Sequence, residues 1–309
     1  MSPSTTSLAS AAARLSEHFH SLGKATTADE QDLILASRRM MRLLAAPLLA
    51  QMGLTRDTKA PVALLDSACG TGVFTQEAQG VLAREVLEES SFVCADSAVG
   101  LVELVRKRAA AEGWVNVEAR VADAMDTGLP ADSFSHVAMT LGLHLIPSPD
   151  AVLADVRRML KPGGVFGATT FPTSNAQLFW FPDMRSAFES LPFEAPLPAE
   201  MPMQLHDSGR WFDAAWIAGH LAAQGFRDVA VAVTPGRYRV EGADEFMRCF
   251  GGMLPWLMGA WWSEETRRAH PLDEVRGLVR RHLEERHGGQ GWEVTWEVIS
   301  VTGVVDKPS

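Results

Sequence analysis

Only three of the 309 residues are cysteines, Cys69, Cys94 and Cys249. Three scattered thiols make neither a disulfide framework nor a zinc site, and an odd count suits a reducing compartment. Lysine is scarce as well: Lys24, Lys59, Lys107, Lys161 and Lys307 are the whole set. No run of like charge exceeds three residues, and the formal net charge is −10. A phosphate backbone demands a basic face, so this balance argues against a nucleic-acid partner. No stretch reaches the roughly 20 consecutive apolar residues of a membrane span. The Ser/Thr/Ala-rich segment Met1 to Ala13 lacks a basic stretch followed by an apolar one, and is not expected to be a secretory signal. Together these absences predict a cytoplasmic protein with no nucleic-acid and no membrane partner.

What the chain does have is apolar mass: 47% hydrophobic residues, with 14 Phe and 9 Trp. That supports a sizeable core and excludes wholesale disorder. The length suggests either two domains or one large α/β domain with an elaborated cap. Residues 27–52 are apolar at helical spacing, carry Asp29 and Glu30 in the first turn and end at Gly53. Short apolar runs then alternate with helical patterns. Strands are expected at 61–65, 91–95, 117–122, 134–140 and 165–170, and helices at 73–89, 98–112 and 149–160. This alternation means βαβ units, a parallel sheet and helices on both faces. From 172 to 210 the texture changes to six prolines among aromatics and methionines, with a helix expected at 174–190. Helices at 211–224, 242–261 and 271–287 and strands at 227–234 and 292–304 complete the reading.

The segment Val62 to Phe74, VALLDSACGTGVF, carries the most chemical information. A strand ends in an acid, a turn with Gly70 and Gly72 follows, and a helix begins at once. Glycines there let the backbone turn tightly and approach a ligand. The spacing is not G-x-G-x-x-G, and no GK[ST] follows, which excludes a phosphate-cradling loop. Asp66 would repel a pyrophosphate but suits a ligand with an ammonium group. Asp96 ends the second strand, where a carboxylate accepts from ribose hydroxyls. Asp123 ends the third, where a carboxylate can take an adenine amine while Met125 packs on the base. All three acids fall on the carboxyl edge of the sheet, the edge at which open α/β sheets bind ligands.

With LLDSACGTG (64–72), CADSAVGLVELVRKRA (94–109), VADAMDTGLPADSFSHV (121–137) and RRMLKPGGVF (157–166), the chain resembles the class I S-adenosylmethionine-dependent methyltransferases. The resemblance implies a Rossmann-like seven-stranded mostly parallel sheet, order 3-2-1-4-5-7-6, with helices on both faces and a helical and loop lid. It implies that Asp66, Ala68, Gly70 and Gly72 shape the methionine pocket. Asp96 would serve the ribose, Asp123, Ala124 and Met125 the adenine, and Thr140 and Leu141 the space behind the sulfonium, with Ser97 a further cofactor-binding residue. EGWVN (112–116), DTGLP (126–130), GFRDV (225–229) and DEF (244–246) further resemble fungal secondary-metabolite methyltransferases of the gliotoxin thiol-methyltransferase type. Many relatives carry a Tyr in the segment covering the cofactor, whereas this chain's sole tyrosine is Tyr238; Phe19 is expected in that packing role and Arg38 in contact with the cofactor carboxylate.

The implied layout is a set of N-terminal helices (1–53) over the cofactor site and a methyltransferase domain (54–309) with lid insertions at about 172–224 and 241–288. Methyl transfer from a sulfonium is an in-line displacement that needs alignment and exclusion of water more than acid catalysis. A thiol can react as a thiolate, whereas a hydroxyl or amine usually wants a base. His144, just past the fourth strand, is the candidate base or acceptor-orienting group, with His206 a second histidine in reach; a packed strand-end histidine is the competing reading. Phe171, Trp180 and Phe181 are the expected acceptor-pocket members, because the insertion directly follows strand 5. Cys69 reads as a small buried apolar residue, and Arg106-Lys107-Arg108 as a solvated helix face. The expected partner is a small, largely apolar acceptor, the expected state a monomer or homodimer, and no metal is expected. Two other classes stay open: a cofactor-binding enzyme that directs a cyclisation without losing the methyl, and a regulatory protein without turnover.

Overall fold

The computed structural model describes residues 7–21 and 27–307; residues 1–6 of the Ser/Thr/Ala-rich segment lie outside them. Five parallel strands come first: β1 (Ala63–Ser67), β2 (Ser91–Asp96), β3 (Val117–Val121), β4 (Phe134–Thr140) and β5 (Leu160–Thr170). The long strands β6 (Phe226–Val240) and β7 (Trp292–Val305) pair antiparallel at the far side, and β7 also runs antiparallel to β5. The strand order is β3-β2-β1-β4-β5-β7-β6, as the resemblance implied.

Consecutive residues of β1 show why a sheet buried on both faces reads as an unbroken apolar run. Leu64 faces a core formed with α3 (Arg42–Gln51), α4 (Val73–Val81) and α5 (Arg84–Glu89), through Leu48, Phe74 and Val86. Leu65 faces the opposite core, with α7 (Pro149–Met159) and α9 (Ala214–Ala223) contributing Val152, Val156, Ile217 and Leu221. A third cluster is separate from the sheet faces. It joins α1 (Leu8–Ser21), α8 (Phe181–Glu189), α10 (Ala243–Phe250), α11 (Leu254–Trp261) and α13 (Leu272–Arg286) to the ends of β6 and β7. These helices share a core of their own, and Trp180 and Phe181 lie inside it.

Several expected boundaries move for identifiable reasons. The expected helix over 73–89 is two helices, because Leu82 and Ala83 adopt extended backbone between them. The pattern over 27–52 stays helical but contains a π-turn at Ser37–Met41, between α2 (Thr27–Ala36) and α3. β6 runs through Pro235 and Gly236 to Val240, six residues beyond the expected end at 234. As the edge strand it has one side without a partner, and a proline is tolerated there. Gly236 is required for another reason: a Cβ would collide with the indole of Trp296 on β7. The expected helix over 174–190 becomes a short 3-10 turn (Thr173–Gln177) followed by α8, and that over 242–261 is broken at Gly251–Met253. The sequence reading missed α12 (Glu264–Ala269), which is capped by Ser263.

Candidate cofactor and acceptor site

The order β3-β2-β1-β4 sets the carboxyl ends of four strands side by side, and the chain reverses direction of winding between β1 and β4. A crevice forms at such a switch point. The backbone there is unusual on both sides. Ala68 after β1 and Leu141 after β4 hold positive φ, at 51° and 57°. Non-glycine residues in this region are strained, and such strain gathers at functional sites. The Leu141 N–H donates to the Thr169 carbonyl at 3.0 Å and to its hydroxyl at 3.1 Å, which pins that conformation.

Asp66 is fully buried. Its Oδ2 accepts from the Thr75 N–H (3.1 Å) and hydroxyl (2.9 Å), while Oδ1 has no partner. Burial, with the nearby Asp96 charge as a smaller contributor, outweighs the Thr75 hydrogen bonds and pushes its pKa up to about 7. A buried carboxylate with one empty oxygen fits a cationic ligand group, which would satisfy the atom and restore its charge. Gly70 holds φ at +55°, and no atom lies within 4 Å of where a Cβ would be, so the turn leaves open space for a ligand.

Asp96 ties the first two strand ends together. Its Oδ2 accepts from the Gly70 N–H and its Oδ1 from the Ala98 N–H, both at 2.9 Å. Burial raises its pKa, opposed by those backbone donors and by the neighbouring His20 of α1. Four lone-pair sites on a carboxylate leave capacity for two ribose hydroxyls. Ser97 is exposed beside it. Asp123 is exposed, accepts from the Met125 N–H at 2.9 Å and sits next to half-buried Ala124 and Met125. Thr140 is half-buried at the end of β4. Phe19 is half-buried on α1 and packs on the lid core.

Two features at this edge escaped the sequence reading. Val99, at the start of α6 (Val99–Glu112), leaves 54% of its surface exposed three residues after Asp96, an apolar surface that an adenine could cover. Its only sequence signal is a valine at a helix start just after a strand-end acid. The second is Arg108, expected on a solvated face but almost fully buried against the glycine turn. Arg38 pairs with Glu112 at 3.2 Å. Cys69 is buried as expected.

Past the end of β4, His144 is buried, with its Nδ1 unpartnered. Its ring meets Phe171 edge-on at 5.7 Å, and Phe171 leads on to Phe179 at 5.4 Å. Burial, reinforced by His206, lowers the His144 pKa to about 3, so the ring is neutral. His206 spends both nitrogens on the backbone: Nε2 donates to the Leu143 carbonyl (2.8 Å) and Nδ1 accepts from the Ser208 N–H (3.1 Å). The Leu205 N–H donates to the His144 carbonyl at 2.9 Å, so the insertion is stitched onto this loop. Trp180 and Phe181 are both buried in the lid core, and Phe181 carries the Arg185 guanidinium over its face at 4.6 Å.

Residues 64–164 match the methyltransferase domain family. The chain is similar to methyltransferase tpcH of Aspergillus fumigatus, with 27% identity over 253 residues, covering 82% of this chain and 88% of that one. It is similar to the acetylaranotin bis-thiomethyltransferase of Aspergillus terreus, with 26% identity over 257 residues, covering 83% and 86%. A demethylmenaquinone methyltransferase of Symbiobacterium thermophilum is 32% identical over 104 residues, 33% of this chain and 40% of that one. Among the described residues no helix is long and apolar enough to cross a membrane. The domain match, relatives aligned over more than four fifths of both chains and a strand-end site suited to a sulfonium cofactor with an ammonium group converge on an S-adenosylmethionine-dependent methyltransferase domain at residues 64–164.

Proposed function

We propose that the protein methylates a small, largely apolar metabolite on an acidic atom, a thiol sulfur ahead of a hydroxyl or an amine. One observation carries this reading. The acceptor side offers aromatic and methionine side chains and, among the described residues, one buried and unpartnered titratable group, His144, whose pKa burial lowers to about 3. So weak a base cannot drive the ionisation of an alcohol or an ammonium group. A thiol, with a pKa of about 8.5, supplies its own thiolate near neutral pH. That one relative is named a bis-thiomethyltransferase agrees with this choice.

When bound, the cofactor supplies an electrophilic methyl group in line with the acceptor. The chain's own residues do the rest. Asp66 faces the ammonium, Asp96 and Ser97 the ribose, and Asp123, Ala124, Met125 and Val99 the adenine. Thr140 and Leu141 back the sulfonium, with Phe19 covering it. His144 orients the acceptor through its free Nδ1, and Phe171 forms the wall beside it, with Trp180 and Phe181 supporting the lid. The helices within 1–53 and the insertions at 172–224 and 241–288 close over the reacting atoms and exclude water. Three unpaired cysteines suit an intracellular, reducing location.

The test is a panel of small thiols, phenols and amines with methyl-labelled cofactor. The expected result is label in the thiols and stoichiometric S-adenosylhomocysteine. Faster transfer to phenols or amines overturns the thiol preference. A rearranged product without S-adenosylhomocysteine supports cyclisation instead, and cofactor binding without any turnover supports a regulatory protein.

A further inference from the structure

The buried Arg108 is the centre of a network that the cofactor contacts do not account for. Its side chain is 1% exposed, although its neighbours Arg106 and Lys107 are open to solvent. A buried guanidinium is costly unless every donor is used. Here Nη1 donates to the Thr71 carbonyl at 2.5 Å, Nη2 to Gln76 Oε1, and Nε to Glu112 at 2.9 Å. Its Cζ lies 5.1 Å from the centre of the Trp114 ring, and that ring presses on Gly72, where a Cβ would come within 3.2 Å of it. Thr71 stands between the two glycines of the cofactor turn. Arg108 therefore sets the turn from behind.

The network continues outward. Glu112 also accepts from Arg38 at 3.2 Å, and the two guanidiniums outweigh burial to lower its pKa. Arg38 belongs to the π-turn at Ser37–Met41, and π-turns inside helices recur at functional sites. The neighbouring Ser37, buried, gives its proton to the Leu33 carbonyl at 2.8 Å and pairs with the Thr71 hydroxyl at 2.5 Å. Lys107 bridges to Glu30 of α2 at 2.6 Å, a second tie between α6 and the same segment. Thr71 is thus gripped twice, once by Arg108 and once by the π-turn, and Glu112 joins the two grips.

We propose that Arg38, Glu112 and Arg108 form a latch that holds the cofactor turn in its binding shape only while the helical segment 27–51 is seated, and so sets how long the cofactor and its demethylated product remain bound. These are positioning residues, and the proposal rests on the cofactor lying at this turn. Arg38→Ala removes the outer link alone at a partly exposed side chain, whereas Glu112→Gln removes it together with the counter-charge of buried Arg108. Calorimetry with S-adenosylmethionine and stopped-flow release of S-adenosylhomocysteine are the measurements. Each variant is expected to raise Kd and the release rate by about fivefold, the lower end of coupling between sites. The double variant should be no worse in cofactor affinity than Glu112→Gln alone, with kcat at saturating cofactor and the acceptor KM unmoved; the Tm of Arg38→Ala should change by no more than about 2 °C. Arg108→Lys keeps the charge but cannot reach three acceptors at once, and should weaken cofactor binding further. Unchanged cofactor affinity in the single variants, or losses that simply add in the double, overturns the latch. Failure of the unmodified protein to bind either compound would instead overturn the placement of the cofactor at the turn.

Discussion

The two halves of the sheet's carboxyl edge are built from opposite materials. At β1 to β3 the edge is polar and over-determined: three acids, a turn gripped from several sides, and strained backbone at Ala68. At β4 and β5 and beneath the lid it is aromatic, with a neutral histidine and adaptable side chains. On the proposed reading the first half recognises the cofactor by hydrogen bonds, and the buried Asp66 Oδ1 is left unmatched without it. The second excludes water and tolerates variation in shape, as aromatic and methionine surfaces do. An enzyme with one donor and a family of possible acceptors needs that asymmetry.

If the polar half is the recognition half, its removal should hurt most. Asp96→Ala takes away the acceptor for two ribose hydroxyls, charge-assisted bonds worth about 3 kcal/mol together, so Kd for S-adenosylmethionine should rise about 100-fold. Calorimetry that shows unchanged affinity would erase the distinction between the halves. A paired substitution separates recognition from strain. Gly70 and Gly113 both hold positive φ with open space at the Cβ position. An alanine at either should cost about 1 kcal/mol of stability through its backbone. Gly70→Ala should in addition weaken cofactor binding about tenfold, because its methyl enters the space a ligand needs. Equal cofactor affinities for the two variants would place the ligand away from the turn.

The same contrast decides what was legible in the sequence. Strand-end acids and glycines stand in fixed register with the βαβ spacing, so Asp66, Asp96 and Asp123 stood out in the sequence, whereas the strand order was implied only by the family resemblance. Aromatic residues at helical spacing look alike whether they line a pocket or fill a core, which is why Trp180 and Phe181 could be expected near the acceptor yet lie inside the lid's own cluster. Arg108 was hidden for a third reason. In a run of Arg-Lys-Arg only the three-dimensional neighbours reveal which guanidinium turns inward. The extent of β6 was hidden too, since Pro235-Gly236 signals a turn unless the strand is known to be an edge.

A smaller effect tests the charge logic of the polar half. In the free protein Asp66 titrates at about 7, well above the 3.8 of an unburied aspartate. The protonated form is therefore the one the fold favours, and its contribution to stability is full below about pH 4 and lost as pH rises through 7. A bound ammonium reverses the preference. Cofactor affinity should thus climb severalfold from pH 6 to pH 8, and binding near pH 6.5 should release a proton, seen as a buffer-dependent heat. Asp66→Asn keeps an oxygen for Thr75 and should abolish both the climb and the proton release.

The smallest effect belongs to the apolar half. His144 titrates at about 3 against 6.5 when unburied, and His136 at about 4, in both cases because burial disfavours the charged ring. Their unfolded forms take up protons first, so the stability tied to the neutral rings is present above about pH 6.5 and falls away as the pH drops towards 4. His144→Ala should flatten that acid limb. Its kinetic consequence should be modest: a loss within about threefold with a thiol acceptor and about tenfold with a hydroxyl or amine, well short of the 10²-fold or more that a general base contributes. The pH profile is the sharper readout. If His144 only orients the acceptor, kcat/KM for a thiol rises with the ionisation of the thiol itself, and the rise survives in His144→Ala. A limb with an apparent pKa near 6.5 that disappears with the histidine would make His144 a base after all, and the acceptor half would then be chemically active and not merely a water-excluding wall.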